Sequence, residues 1–276
     1  VERGLLLDGG SVIGVVQCMI RKPPFFKSGL AWINRGPVGS VGNYCETLLA
    51  LYKHFSTERQ MYLRIAPSRL VENLPRLEYN NSGLSKTSTS GWASAVVDLA
   101  QSEETLRNNL HGKWRNALSR AERSGIEICI SKDTQAFQTF LKGHSAHLDE
   151  RGQFGGLETQ FLVSLQDTLP MARRLLCVAA YKDASYLGGA LIIQYGARAE
   201  YLAGHNSIIG RNLNAGQLIL WSAIIHLKAL GLNKFDLGGM DEKLSPPGIY
   251  RFKQRIGGKP YRLAHELEGR ASGLMN

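Results

Sequence analysis

Long apolar runs are missing from this chain. No uninterrupted hydrophobic stretch approaches the ~18 residues that a membrane-crossing helix needs, and that excludes a helical membrane span. No basic-then-apolar signal peptide opens the sequence. The chain starts at Val1, without Met, close to a strand-like Gly4 to Leu7, and residues upstream of Val1 are expected. Cysteine is scarce. Cys18, Cys45, Cys129 and Cys177 lie far apart, no pair has metal-ligand spacing, and three sit within apolar runs. A zinc site is therefore not expected, and buried reduced thiols in a cytoplasmic protein are. Acidic residues are the minority: 23 Asp and Glu face 33 Lys and Arg, a formal net charge of +10. That surplus favours polyanionic partners, whether nucleic acid, nucleotide phosphates or an anionic membrane surface. No short-period repeat is visible.

What is present is ample core material. At 276 residues and 43% hydrophobic composition the chain can build one large domain or two moderate ones. Leu5 to Arg21, broken at Asp8-Gly9-Gly10, reads as a hairpin. Leu30 to Asn34 and Met61 to Ala66 read as strands around a helix capped by Asn43. Residues Asn80 to Gly91 read as an exposed loop, and Trp92 to Leu99 as a strand. Ser102, followed by Glu103 and Glu104, opens a helix. In the next helix, Lys113 to Ser124, Trp114, Leu118 and Ala121 form a packed stripe, while Lys113, Arg115, Arg120 and Arg123 occupy the other faces. Two readings stay open for those cations: a solvated surface, or one wall of a polyanion groove.

The second half repeats the scheme. A strand at Ile126 to Ile130 and two helices precede three strands, Leu175 to Tyr181, Tyr186 to Tyr195 and Arg198 to His205. The helix Asn214 to Leu230 is apolar on nearly every side, so it is expected to be buried, with Gly231 as its C-cap. Lys234 to Leu237 is one more strand. The Pro246-Pro247 pair is expected to break the chain before a turn at Gly248 to Gly258. This order argues for an α+β fold of two related units, residues 1–120 and 121–258, with 259–276 completing the first.

Several segments together carry a resemblance. Trp114-Arg115-Asn116-Ala117-Leu118-Ser119-Arg120-Ala121-Glu122-Arg123-Ser124-Gly125 resembles the "W/Y-R-N-x-I-x-x-A-x-x-x-G" junction of the Fem family, the peptidoglycan interpeptide-bridge aminoacyltransferases. Phe235-Asp236-Leu237-Gly238-Gly239 looks like its "F/Y-D-L-G-G". Gly248-Ile249-Tyr250-Arg251-Phe252-Lys253 with Gly257-Gly258 is similar to its "G-V/I-x-x-F-K … F-G-G", and Arg35-Gly36-Pro37 to its "R-G-P". Ile256 departs from the family's usual Phe. The long helical hairpin that some members insert has no counterpart here.

The resemblance implies two acetyltransferase-like (GNAT) units and an aminoacyltransferase without a bound cofactor. It would move an amino acid from aminoacyl-tRNA to an amine on a nucleotide- or lipid-linked muramyl peptide, with peripheral contact to the inner membrane face. Such a transfer needs a neutral amine, donors for the oxyanion and alignment of the reactants, but no covalent enzyme intermediate. Lys253 is the expected cation near the reacting carbonyl or a phosphate, with Phe252 shaping the wall beside it. A solvated surface lysine is the alternative. Arg151 resembles the family's phosphate-binding arginine, and a helix-capping role stands beside that reading. Arg21 and Lys22 are expected to add a second phosphate contact. Tyr201 aligns with an acceptor-facing strand tyrosine, or is half-buried core. Asp236 anchors its loop or takes a proton from the amine. His144, His147 and His205 have no nucleophile partner and are taken as structural. The competing donor is acyl-CoA, whose pyrophosphate loop would fall at Arg211 to Gly216; Asn214 replaces the central glycine there, and its side chain is expected to crowd the backbone approach to pyrophosphate, which disfavours that donor. A non-catalytic polyanion-binding module is the third reading.

Overall fold

A computed structural model describes residues 1–25, 28–39, 44–74, 79, 81–150 and 157–270. The chain divides into two compact units, Val1–Ala93 with Tyr261–Asn276, and Ser94–Pro260. The division expected at residue 120 falls inside a helix whose Trp114, Leu118 and Ala121 belong to the second unit's core. Burial of that stripe, rather than a linker, decides to which unit the segment belongs.

The first unit opens with β1 (Glu2–Asp8) and β2 (Ser11–Arg21), the expected hairpin, antiparallel with Leu5 opposite Val15 and Asp8 opposite Ser11 and a register shift between Leu6 and Leu7. Then come β3 (Leu30–Asn34), β4 (Val38–Gly39) and helix α1 (Tyr44–Tyr52), which runs on into a wider helical turn, Lys53–Glu58. β5 (Tyr62–Ala66) lies parallel to β3. The stretch read as a plain loop contains a short strand, β6 (Ser85–Lys86).

The second unit starts with β7 (Ala93–Asp98), then α2 (Glu103–Asn109) and α3 (Gly112–Glu122). Ser102 caps α2 as expected: its side chain accepts from the Thr105 N–H at 3.1 Å. Ser102→Ala should cost about 1 kcal/mol of stability, the usual worth of an N-cap, in a denaturant titration. After β8 (Glu127–Ser131) come α4 (Thr134–Glu150) and α5 (Thr159–Thr168). The meander β9 (Leu176–Lys182), β10 (Ser185–Tyr195) and β11 (Arg198–Asn206) is antiparallel throughout. A short α6 (Ile208–Asn212) leads into α7 (Ala215–Ala229), then β12 (Lys234–Asp236), α8 (Pro247–Gln254) and β13 (Lys259–Arg262). The segment expected as a turn is thus a helix, because Pro at the first helical position opens a helix rather than breaking it. The chain then returns to the first sheet as β14 (Leu267–Gly269).

Among the described residues each unit has a seven-stranded sheet, in the order β1-β2-β3-β5-β14-β6 with β4 beside β2, and β13-β7-β12-β11-β10-β9-β8. In the first unit Leu48, Leu51 and Phe55 pack over Ile33, Leu63 and Ile65. The second sheet is covered on both faces. Trp114, Leu118, Ile219 and Trp221 bury one face together with Phe235 and Val97. Phe137, Phe140 and Leu162 cover the other, against Cys177, Leu191 and Ala203. α7 packs against β8 to β11 and against α3 and α6, which explains why it is apolar nearly all round. Gly231, at φ +77, ends it as expected. Cys18 and Cys177 are buried, whereas Cys129 is exposed on β8, the outermost strand of its sheet; all four thiols are free. Among the described residues no helix is long and apolar enough to cross a membrane, and no group of three or more His, Cys, Asp or Glu could hold a metal ion.

Candidate active site

The second sheet contains one local separation of strands. β11 and β12 are parallel and paired only from Arg198/Lys234 to Glu200/Asp236. Beyond that point β11 continues to Asn206, while the other chain turns away at Leu237, whose N–H bonds to the Ala95 carbonyl at 2.9 Å. Gly238 makes the turn. Its φ is +70, and an added Cβ would lie 2.5 Å from the Tyr201 carbonyl oxygen, so only glycine fits. Asp236 holds the turn in place. Its carboxylate accepts from the Gly238 N–H at 2.8 Å and from the Ser94 hydroxyl. Of its two expected roles, loop anchoring is the one these bonds perform.

Lys253 enters this junction from α8. It is 8% exposed, and its Nζ donates to the Gly239 carbonyl at 3.0 Å and lies 4.9 Å from the centre of the Tyr201 ring. The ammonium is therefore not a solvated surface charge. Burial pushes its pKa down to about 8 from 10.5, against the opposing pull of Asp236 and Glu200. At neutral pH the group remains mostly cationic, yet it is poised to lose its proton in the mildly alkaline range. Tyr201 is partly buried beneath it, and burial raises the phenol's pKa. Phe252, the residue before Lys253 and about 100° around α8 from it, is half-buried against Trp114, ring centres 6.0 Å apart, and forms part of the wall of a pocket of about 300 Å³.

The fold thus brings together Lys253, Tyr201 and Asp236, with Phe252 adjoining. Arg21 and Lys22 belong to the first unit, exposed at the end of β2. Arg151 lies outside the described residues. Sequence reasoning missed Ser94 and the Gly239 carbonyl: a serine in a strand and a backbone oxygen carry no motif signal. Asn214, expected to crowd a phosphate loop, sits at φ +59, the left-handed conformation a glycine would take there. The three histidines do gather, with His205 5.0 Å from Phe140 and 6.2 Å from His144 between ring centres. Burial, helped by His144 and His147, drives the His205 pKa down to about 3, so it is neutral at ordinary pH. Gly143 permits this packing, since a Cβ there would lie 2.2 Å from His205 Nε2. That is a neutral imidazole wedged between helix and sheet.

A mixed sheet whose parallel pair separates beside a buried lysine, flanked by helices on both faces, defines an acyltransferase of the GNAT type. The chain belongs to the acetyltransferase (GNAT) domain family, whose model matches residues 106–254, more than half of its length. Among solved structures it is similar to the crystal structure of FemX, with a TM-score of 0.81 at 16% identity, covering 98% of this chain and 87% of that one. It is also similar to the C-terminal domain of a putative lysylphosphatidylglycerol synthetase from Agrobacterium fabrum (TM-score 0.58, 15% identity, 96% and 83% covered). L-PGS from Bacillus licheniformis follows at a TM-score of 0.56 and 12% identity, with 96% and 83% covered. At these identities the likeness is one of fold, and it extends over both units, so each is GNAT-like. No curated protein sequence matches.

Proposed function

We propose that this protein is an aminoacyltransferase that moves an amino acid from aminoacyl-tRNA to an amine of a peptidoglycan-precursor stem peptide. The observation that carries the reading is the buried Lys253 ammonium where β11 and β12 separate. Ester aminolysis builds negative charge on the carbonyl oxygen, and a fixed cation in a water-poor setting stabilises such charge far better than it would in bulk water. Past Glu200 the edge of β11 away from β10 has no strand partner among the described residues, and its main-chain donors and acceptors are suited to lining up an extended peptide-like substrate. No protein nucleophile is required, consistent with a site of lysine, tyrosine and aspartate. The FemX-like fold of both units and the net charge of +10 support the same reading.

Two other readings have an observation behind them. The fold shared with lysylphosphatidylglycerol synthetases supports an acceptor on a lipid headgroup, again with an aminoacyl donor. The acetyltransferase (GNAT) family model over residues 106–254 supports acyl-CoA as donor. One experiment separates them. The protein is incubated with charged tRNA and either a nucleotide-linked muramyl pentapeptide or phosphatidylglycerol vesicles, and in parallel with acetyl-CoA, followed by mass analysis. The expected outcome is an aminoacyl mass increment on the muramyl peptide. An increment only on the lipid, or only from the CoA thioester, would replace the proposal by the corresponding alternative. Absence of all three would leave the polyanion-binding module.

A further inference from the structure

Four polar atoms of the second unit meet in one place, closed off from solvent and without a hydrogen-bond partner among the described residues. They are both ring nitrogens of His205, Nδ1 of His144 and the Tyr186 hydroxyl. His205 stands on β11, Tyr186 on β10 and His144 on α4. A buried polar group without a partner is costly, so several at one spot call for an explanation. The chemistry at Lys253 uses none of them.

The packing is close. Phe140 contacts both imidazoles, its ring centre 5.4 Å from that of His144 and 5.0 Å from that of His205. His205 is also 6.2 Å from His144, 6.4 Å from His147 and 5.6 Å from Tyr186. A Cβ at Gly189 would come within 2.8 Å of the Tyr186 hydroxyl, as one at Gly143 would of His205, so helix and strand are pressed together at two glycines. His144 Nε2 lies 2.9 Å from the Leu157 carbonyl oxygen. A carbonyl only accepts, so Nε2 carries the hydrogen and Nδ1 is a bare lone pair. That bond ties α4 to the chain just before α5. Among the described residues no ion pair joins His144 or His205 to a carboxylate. Lys142 and Asp149 on α4, and Glu158 and Asp167 at either end of α5, are exposed. From β9, Tyr181 meets Tyr186 edge-on at 5.5 Å, and Arg211 of α6 is exposed and donates to the Asn206 carbonyl. The charges that bear on His205 come from His144 and His147, and they repel its proton.

We propose that His144 and His205 form an acid-sensitive clasp, which holds the C-terminal half of α4 against β10 and β11 while both rings are neutral and releases it when a proton enters. The nitrogens that could take that proton lie inside the sealed contact, so an imidazolium there needs the rings to reach water. They reach it by lifting α4, which uncovers Phe140 and Leu162. Burial, with the repulsion of the neighbouring imidazoles, holds the His205 pKa at about 3 in the closed state, against 6.5 for an ordinary histidine. Between pH 6.5 and about 3 the open form holds a proton that the closed form lacks. The closed form therefore loses ground as pH falls, about tenfold per pH unit for one proton, and above pH 6.5 this contribution is constant. The clasp is a two-state element biased by protonation, and it operates whichever acyl donor the protein uses.

The test is hydrogen exchange of the backbone amides across the acid range from neutral pH, read by mass spectrometry on the whole chain and corrected for the intrinsic rate. Protection in the C-terminal half of α4 and in β10 should fall about tenfold per pH unit below pH 6.5, while protection in α3 stays level. His205→Gln and His205→Leu remove the titrating ring, and each should flatten the α4 response. A second measurement uses the parent protein alone and serves if both variants misfold. Exchange of the carbon-bound hydrogen between the two ring nitrogens reports the titration and exposure of each histidine. His205 should exchange far more slowly than the exposed His111, with its midpoint well below 6.5. Level protection in α4 across this range would overturn the proposal. An equal acid response in the folded variants would do the same, as would a His205 ring that exchanges as fast as His111. None of these measurements needs a substrate, so their outcome is separate from that of the transfer assay.

Discussion

Lys253→Ala should lower acyl transfer by about 10²- to 10³-fold in kcat, the range seen when one preorganised oxyanion donor is removed, with KM for either substrate little changed. At 8% exposure, with its Nζ held by the Gly239 carbonyl beside the Tyr201 ring, the ammonium is fixed in position before any substrate arrives. Lys253→Arg should not restore the rate, because a planar guanidinium does not fit a slot shaped for a compact ammonium. The pH dependence identifies the role. The pKa is lowered to about 8, chiefly by burial. A lysine acting as a cation loses its effect as pH rises through about 8, so the Lys253-dependent part of kcat should fall there. A kcat that rises through the same pH would instead identify the neutral amine as a general base.

The same shift predicts a stability signature that needs no substrate. The folded pKa is about 8 and the ordinary lysine value 10.5. Between those pH values the unfolded chain holds a proton that the folded chain has lost, so this residue makes stability rise with pH across that window. Below about pH 8 the folded protein carries the full penalty of a buried ammonium, about 3 kcal/mol for a shift of this size at about 1.4 kcal/mol per unit. The difference in unfolding free energy between Lys253→Met and the parent should accordingly be constant at neutral pH and move by about this amount in the parent's favour from pH 8 to 10.5. A pH-independent difference would show that the ammonium is solvated.

Phe235→Ala should destabilise the protein by about 3–5 kcal/mol, the usual cost of emptying a large buried aromatic site. Phe235 is completely buried on β12, opposite Ala199 of β11 on one side and Val97 of β7 on the other, at the centre of the second unit's core. A cavity there undermines the short strand that carries Asp236 and the Gly238 turn, so activity should fall along with stability. Denaturant titration monitored by tryptophan fluorescence reads the first, and turnover at a temperature where the variant stays folded reads the second. A loss below 1 kcal/mol would mean that the core around β12 collapses onto the gap.

Much of this fold was legible from sequence because local rules coincide with tertiary ones. The Asp8-Gly9-Gly10 turn, the Ser102 cap, the Trp114/Leu118/Ala121 stripe and Gly231 at the end of α7 each state their structure within a few residues. Where a rule has two outcomes, only the fold chose. Pro246-Pro247 reads equally as a breaker or as the start of a helix, and packing of Phe252 and Ile256 selects the helix. The unit boundary was misplaced because a buried stripe shows that a helix packs, not against which sheet.

Lys253 shows the division most clearly. Its position in Gly-Ile-Tyr-Arg-Phe-Lys marks it as worth testing, but one-dimensional spacing says nothing of solvent. Whether that amine is a solvated +1 charge or a buried group titrating near pH 8 depends on Tyr201, Gly238 and Gly239, which come from two other segments of the chain. The histidine clasp follows the same logic, since residues as far apart in the chain as His144 and His205 meet only in three dimensions. The sequence by itself determined the elements, their order and the surplus of positive charge, because hydrophobic period, capping and composition are local quantities. Tertiary structure alone decided where the charge is dry and where it is solvated, because desolvation depends on which distant segments close around a group.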